Sequence, residues 1–126
     1  MLDHIGIQVS DFARAKAFYL AALAPLGYRI YRQSDANGRK AAGFVSGRVT
    51  DFWIYSSGAG LTSGLHVAFA APDRATVDAF YKAALAAGGT DNGAPGPRPQ
   101  YSADYYGAFV FDPDGHNLEA VCRMPY

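Results

Sequence analysis

The chain has 126 residues, half of them hydrophobic, and its 11 Lys and Arg balance its 11 Asp and Glu. That length suits one domain with a sizeable core, and the absence of a net positive charge or a basic run argues against nucleic acid as a partner. No apolar run approaches the length of a membrane span, and no basic segment followed by an apolar stretch marks a signal peptide. The single cysteine, Cys122, rules out an internal disulfide framework and fits a cytoplasmic protein.

Leu2 to Val9 alternates as a strand does, with His4, Gly6 and Gln8 on one face and Ile5, Ile7 and Val9 on the other. Ser10 or Asp11 offers an N-cap. The helix that follows gathers Phe12, Ala15, Phe18, Tyr19, Ala22, Leu23 and Leu26 on one stripe, and Pro25 and Gly27 close it. Three strands are expected near Tyr28–Arg32, Ala41–Ser46 and Asp51–Ser56, with Asn37-Gly38 as a hairpin turn and Ser46-Gly47 as a break. A fifth strand covers Gly64–Ala70, with His66, Ala68 and Ala70 on one face. Asp73 then caps a helix whose stripe is Val77, Phe80, Tyr81, Ala84 and Leu85, ended by Gly88-Gly89. Residues 91–104, rich in Gly and Pro, are expected to be an extended loop. Tyr105–Phe111 and Asn117–Arg123 form the last two strands, joined by the tight turn Asp112-Pro-Asp-Gly115. The pattern is βαβββ twice, an α+β domain spanning 1–126, with one module at about 1–60 and a second at about 61–126.

The two modules are copies. Residues 13–27 align with 75–89 without a gap, and the same displacement carries Asp11 onto Asp73 and His4 onto His66. Two imidazoles at matching places on two first strands are what a divided metal site needs. Ten of the acidic residues are Asp, and the single glutamate, Glu119, sits among Leu118, Ala120, Val121 and Cys122. A carboxylate in such a setting needs a cation or a hydrogen-bond donor.

Three segments, Leu2-Asp-His-Ile-Gly-Ile-Gln-Val9, Gly64-Leu-His-Val-Ala-Phe69 and Phe111-Asp-Pro-Asp-Gly-His-Asn-Leu-Glu119, occur in this order inside the repeat. Together they make the chain resemble the vicinal oxygen chelate superfamily, the glyoxalase, bleomycin-resistance and extradiol-dioxygenase group. The resemblance implies two modules curled into an open, cup-shaped mixed-sheet barrel with helices outside. It also implies one divalent metal (Zn, Ni, Mn or Fe(II)) held by His4, His66 and Glu119, a small-molecule substrate, and a homodimer. Two imidazoles and a carboxylate on three strands can cap one face of an octahedral ion. The open positions then suit a substrate with neighbouring oxygens, for lyase, isomerase or oxygenase chemistry. Many glyoxalase I enzymes add a fourth ligand, which falls here at about Trp53 or Ile54; neither can ligate, and Asp51 stands only at the strand entrance. The pattern is thus the three-ligand one.

Other candidates follow from residue type. Tyr101 and Tyr105 are candidate proton-transfer groups. Gln8, Trp53, Tyr55, Arg98 and Tyr106 are candidate substrate contacts, Arg98 for an anionic group. Fosfomycin-type group transfer would share the triad and would use Arg98 with Lys40 as phosphonate-binding cations. His116 is expected to be an exposed turn residue and Cys122 to pack outside the cavity. The competing class is a metal-free protein of bleomycin-resistance type that sequesters a ligand in an aromatic-lined cup.

Overall fold

A computed structural model describes residues 2–56 and 60–123. Its strands are β1 (Ile5–Gln8), β2 (Arg29–Ala36), β3 (Arg39–Ser46), β4 (Val49–Ser56), β5 (His66–Ala70), β6 (Thr90–Pro97), β7 (Tyr106–Phe111) and β8 (Asn117–Cys122). Two helices, α1 (Phe12–Leu23) and α2 (Arg74–Ala86), follow β1 and β5. The strands form two four-stranded mixed sheets, β1-β4-β3-β2 and β5-β8-β7-β6. The two βαβββ modules are therefore present, and the sheets are not closed into one.

Local chemistry explains the boundaries. Asp11 accepts a hydrogen bond from the Arg14 N–H at 3.0 Å, and Asp73 accepts one from the Thr76 N–H at 2.7 Å. Each thereby satisfies an orphan donor of its helix. These bonds to the charged form hold the Asp73 carboxyl below its usual range. After α1 a 3-10 turn over Ala24–Leu26 ends at Gly27, whose φ of 85° a glycine adopts without strain. Asn37 and Gly38 both have positive φ, 56° and 73°; this is the two-residue hairpin turn expected between β2 and β3.

The expectation of a loop over 91–104 is corrected. Thr90–Pro97 pairs antiparallel with β7, with register breaks between Asp91 and Gly93 and between Gly93 and Gly96. Strand β6 is the sheet edge, where a proline lacking an N–H interrupts no ladder on its open side and bulges absorb the glycines. Only the segment after Pro97 is irregular, closed by the Arg98 N–H donating to the Tyr105 carbonyl at 2.8 Å.

The helix stripes bury as patterned. Ala15, Phe18, Tyr19, Ala22 and Leu23 of α1 and Val77, Phe80 and Ala84 of α2 are buried. They share one core with Ile7, Phe44, Phe52 and Ile54 of the first sheet and Phe69, Val110, Leu118 and Cys122 of the second. Phe52 and Phe69 meet edge to face, centroids 5.5 Å apart. Cys122 points into this core, as the alternation required. The helix-covered faces of the two sheets thus meet through α1 and α2, which pack on each other. The opposite faces, carrying Gly6, Gln8, Trp53 and Tyr55 in one sheet and His66, Phe109 and Glu119 in the other, are turned away from the shared core.

His116 corrects a second expectation, for it is fully buried. The turn folds back on itself. Asp112 Oδ1 accepts from the backbone N–H groups of Asp114 at 2.9 Å and His116 at 2.8 Å. Neither ring nitrogen of His116 has a hydrogen-bond partner among the described residues. Asp112 Oδ2 accepts from the Tyr19 hydroxyl at 2.5 Å, tying α1 to the β7–β8 turn. Burial, followed by the Asp112 charge, pushes the Tyr19 hydroxyl well up, so it stays a donor. Replacing Tyr19 with Phe strips a buried carboxylate oxygen of its donor. We expect a loss of about 1–3 kcal/mol, read as a lower urea midpoint with an unchanged slope; an unchanged midpoint would remove this tie from the account.

Candidate functional site

The pairing of β5 with β8 builds the site. These strands run parallel with His66 opposite Asn117 and Ala68 opposite Glu119, so His66, Ala68, Asn117 and Glu119 share the face away from the helices. The antiparallel β7–β8 pair adds Phe109 opposite Glu119 and Gly107 opposite Val121. Glu119 is 2% exposed although it faces outward. Its cover is Tyr105, whose hydroxyl donates to Glu119 Oε1. Gly107 makes the space: a Cβ there would stand 3.0 Å from Glu119 Oε1 and 3.2 Å from the Tyr105 ring.

His66 Nε2 lies 3.2 Å from the other oxygen, Glu119 Oε2. His66 Nδ1 lies 3.0 Å from the Asn117 carbonyl oxygen. A carbonyl only accepts, so Nδ1 carries a proton. In a neutral imidazole Nε2 then presents a lone pair, and an ionised carboxylate oxygen presents another. Two lone pairs facing each other at this distance require a positive charge between them, a proton or a metal ion. Two metal ligands at right angles, each at the usual bond length, lie about 3 Å apart. A backbone carbonyl holding the far ring nitrogen is the customary support of a metal-bound histidine. His66 and Glu119 therefore fit two adjacent ligand positions.

His4 is not gathered with them. It precedes β1, is exposed, and its Nδ1 lies 2.7 Å from Asp3 Oδ1. Among the described residues no three His, Cys, Asp or Glu side chains are grouped so as to hold a metal. A cavity of about 330 Å³ lies beside His4, lined in part by Tyr28, Asp51 and Phe69. There the Tyr28 hydroxyl donates to Asp51 Oδ2 at 3.1 Å.

The first sheet carries aromatic rings where the second carries the carboxylate. Gly6 pairs with Trp53 as Ala68 pairs with Glu119, so Trp53 is the position equivalent to Glu119. Trp53 and Tyr55 stack, with centroids 6.1 Å apart and planes 9° apart. Glycines admit them: a Cβ on Gly43 would meet the Trp53 ring at 2.8 Å, and one on Gly6 would meet Tyr55 at 2.4 Å. Gln8 lies opposite Tyr55 on the same strand pair, and its N–H donates to Thr62 Oγ1 at 2.9 Å.

Of the remaining candidates, Tyr101 is exposed and meets Tyr105 edge to face at 5.0 Å. Arg98 stands over the Phe109 ring at 5.5 Å. Tyr106 lies on the helix side instead, packed against the core, with its hydroxyl donating to Asp78 of α2 at 2.7 Å. Sequence reasoning passed over Asn117, Phe109 and Gly107. The signal was there, since Asn117 is two residues from Glu119 and the Asp112–Gly115 turn fixes which residues of β7 stand opposite.

The sequence model of the Glyoxalase/Bleomycin resistance protein/Dioxygenase superfamily matches residues 1–120, and the chain belongs to that superfamily. Among solved structures it is similar to a glyoxalase/bleomycin resistance protein from Albidiferax ferrireducens. The two are 32% identical, with 98% of this chain and 99% of that one covered and a TM-score of 0.77. It also shares the fold of a glyoxalase/bleomycin resistance protein/dioxygenase domain from Frankia sp., at 17% identity, 97% and 96% coverage and a TM-score of 0.75. Glyoxalase I from Zea mays shares the fold at 24% identity and a TM-score of 0.71, over 95% of this chain but 43% of the maize chain. No curated protein matches the sequence. Among the described residues no helix is long and apolar enough to cross a membrane.

Burial first, and then the bond to Glu119, raise Tyr105 to about 12. Below that pH its hydroxyl is a donor to the carboxylate and not a base. A difference absorbance titration against Tyr105→Phe should show one phenol ionising near pH 12, falling toward the ordinary tyrosine range in Glu119→Gln. A phenol at its ordinary value in the parent would contradict the contact.

Proposed function

We propose that this protein is a small metalloenzyme that binds one divalent ion through His66 and Glu119, with His4 of the partner subunit as third ligand. The reaction class is lyase, isomerase or oxygenase chemistry on a small molecule that presents two neighbouring oxygens. The observation that carries the reading is the opposed pair, His66 Nε2 and Glu119 Oε2, 3.2 Å apart with His66 Nδ1 already donating. A divalent ion in such a place stabilises the negative charge of an enolate or alkoxide.

The chain's own residues have separate tasks in this reading. Asn117 fixes the His66 ring through its carbonyl, and Tyr105 fixes the carboxylate through its hydroxyl. Tyr101, exposed beside Tyr105, is the hydroxyl left to meet the substrate. The open face of the first sheet, with Gln8, Trp53 and Tyr55, supplies an apolar, planar wall. Because the helix-covered faces of the two sheets meet in one core, each open face lacks its counterpart within a chain. A two-fold homodimer brings His4 and the Trp53–Tyr55 wall of one protomer over His66 and Glu119 of the other, and by symmetry makes two such sites. The single buried thiol, Cys122, agrees with a cytoplasmic setting.

A mixing experiment tests both halves of the proposal. His4→Ala and Glu119→Ala should each lose metal, measured by elemental analysis after loading with Zn, Ni, Mn or Fe(II). Unfolded together and refolded as a mixture, they form heterodimers in which one of two sites keeps all three ligands. Metal should return to about a quarter of the parental sites. No recovery would place all ligands in one chain, and a parent that takes up no metal would favour ligand sequestration.

A further inference from the structure

We propose that the pocket around Arg98 is the subsite for a carboxylate on the substrate, so that the substrate is a small organic acid carrying its neighbouring oxygens at the other end. The subsite has a volume of about 300 Å³ and is lined by Asn92, Gly93, Arg98, Tyr101, Phe109 and Asn117. It adjoins the His66–Glu119 pair through shared residues. The Phe109 ring stacks on His66, with centroids 6.2 Å apart, and lies opposite Glu119 in the strand pairing. Asn117 supplies the carbonyl that holds His66.

The guanidinium is fixed before any ligand arrives. Its Nη1 donates to the Gly96 carbonyl at 2.9 Å and its Nη2 to the Ala94 carbonyl at 2.7 Å, while its Cζ lies over the Phe109 ring, 5.5 Å from the centroid. Five N–H donors are available on an arginine, so these bonds leave donors over. Among the described residues no carboxylate lies within ion-pair distance of it, whereas Arg14 is so paired, with Asp114. A half-buried cation, anchored by neutral carbonyls and lacking a counter-ion, is arranged to receive an anion. The planar fork matches a carboxylate. Beside it, the Asn92 amide donates to Asn117 Oδ1 at 3.1 Å, which orients the two amides at the pocket wall. Gly93 keeps this wall open: a Cβ on it would stand 3.3 Å from Arg98 Nη2 and 3.1 Å from the Phe109 ring.

The inference rests on the catalytic reading for what lies at the other end of the substrate, but the subsite can be tested apart from it. Benzoate carries the carboxylate and a planar body suited to Tyr101 and Phe109; benzamide is its neutral counterpart. In an amide chemical-shift titration of the metal-free protein, benzoate should move Gly93, Phe109 and Asn117 and saturate, and benzamide should bind at least about tenfold more weakly. Arg98→Gln should weaken benzoate by a similar factor and leave benzamide unchanged. His4→Ala, which removes a proposed metal ligand that does not line this pocket, should still bind benzoate, so failure of the metal reading alone would leave this result standing. Equal binding of benzoate and benzamide, parental benzoate binding by Arg98→Gln, or no saturable benzoate binding would overturn the proposal.

Discussion

The structure depends on one packing constraint, that each sheet has a single face buried under its helix and that the two buried faces share a core. Tyr19, Phe44, Phe52, Phe69 and Phe80 all belong to it. Strand alternation then sends every second residue to the other face. On β8 this separates Leu118, Ala120 and Cys122, which are fully buried in the core, from Asn117 and Glu119, which lie on the opposite face. Slipping β8 by one residue would put the carboxylate among phenylalanines.

The duplication gives the two modules one backbone but not one chemistry. The position that holds Glu119 in the second sheet holds Trp53 in the first. Glycine accompanies each choice: Gly107 admits the Tyr105–Glu119 contact, and Gly6 and Gly43 admit the aromatic pair. One open face therefore carries a carboxylate beside an imidazole, the other a stacked aromatic pair. In the proposed homodimer the polar face of one copy meets the aromatic face of the other.

Much of this was legible in the sequence. The helix stripes, the Asn37-Gly38 turn, both N-caps and the two-module order follow from periodicity and turn chemistry. The Glu119 setting, apolar on both sides, correctly announced a carboxylate in need of a partner. What could not be read was long-range. Whether His4 meets His66 depends on how the modules pack, and the repeat alone does not say which faces of the sheets are joined. The 90–97 segment looked like a loop because glycine and proline oppose strands in general, yet an edge position tolerates them. His116 looked like a turn residue because of its neighbours, but its burial depends on the turn folding back through Asp112.

The most direct measurement is anomalous diffraction from crystals grown with Ni(II), collected at the nickel edge. The account predicts one peak per chain between His66 Nε2 and Glu119 Oε2, with His4 from a second copy completing the set. A peak elsewhere, or His4 reaching it from the same chain, would contradict the central claim that His66 and Glu119 form half of a metal site shared between two copies.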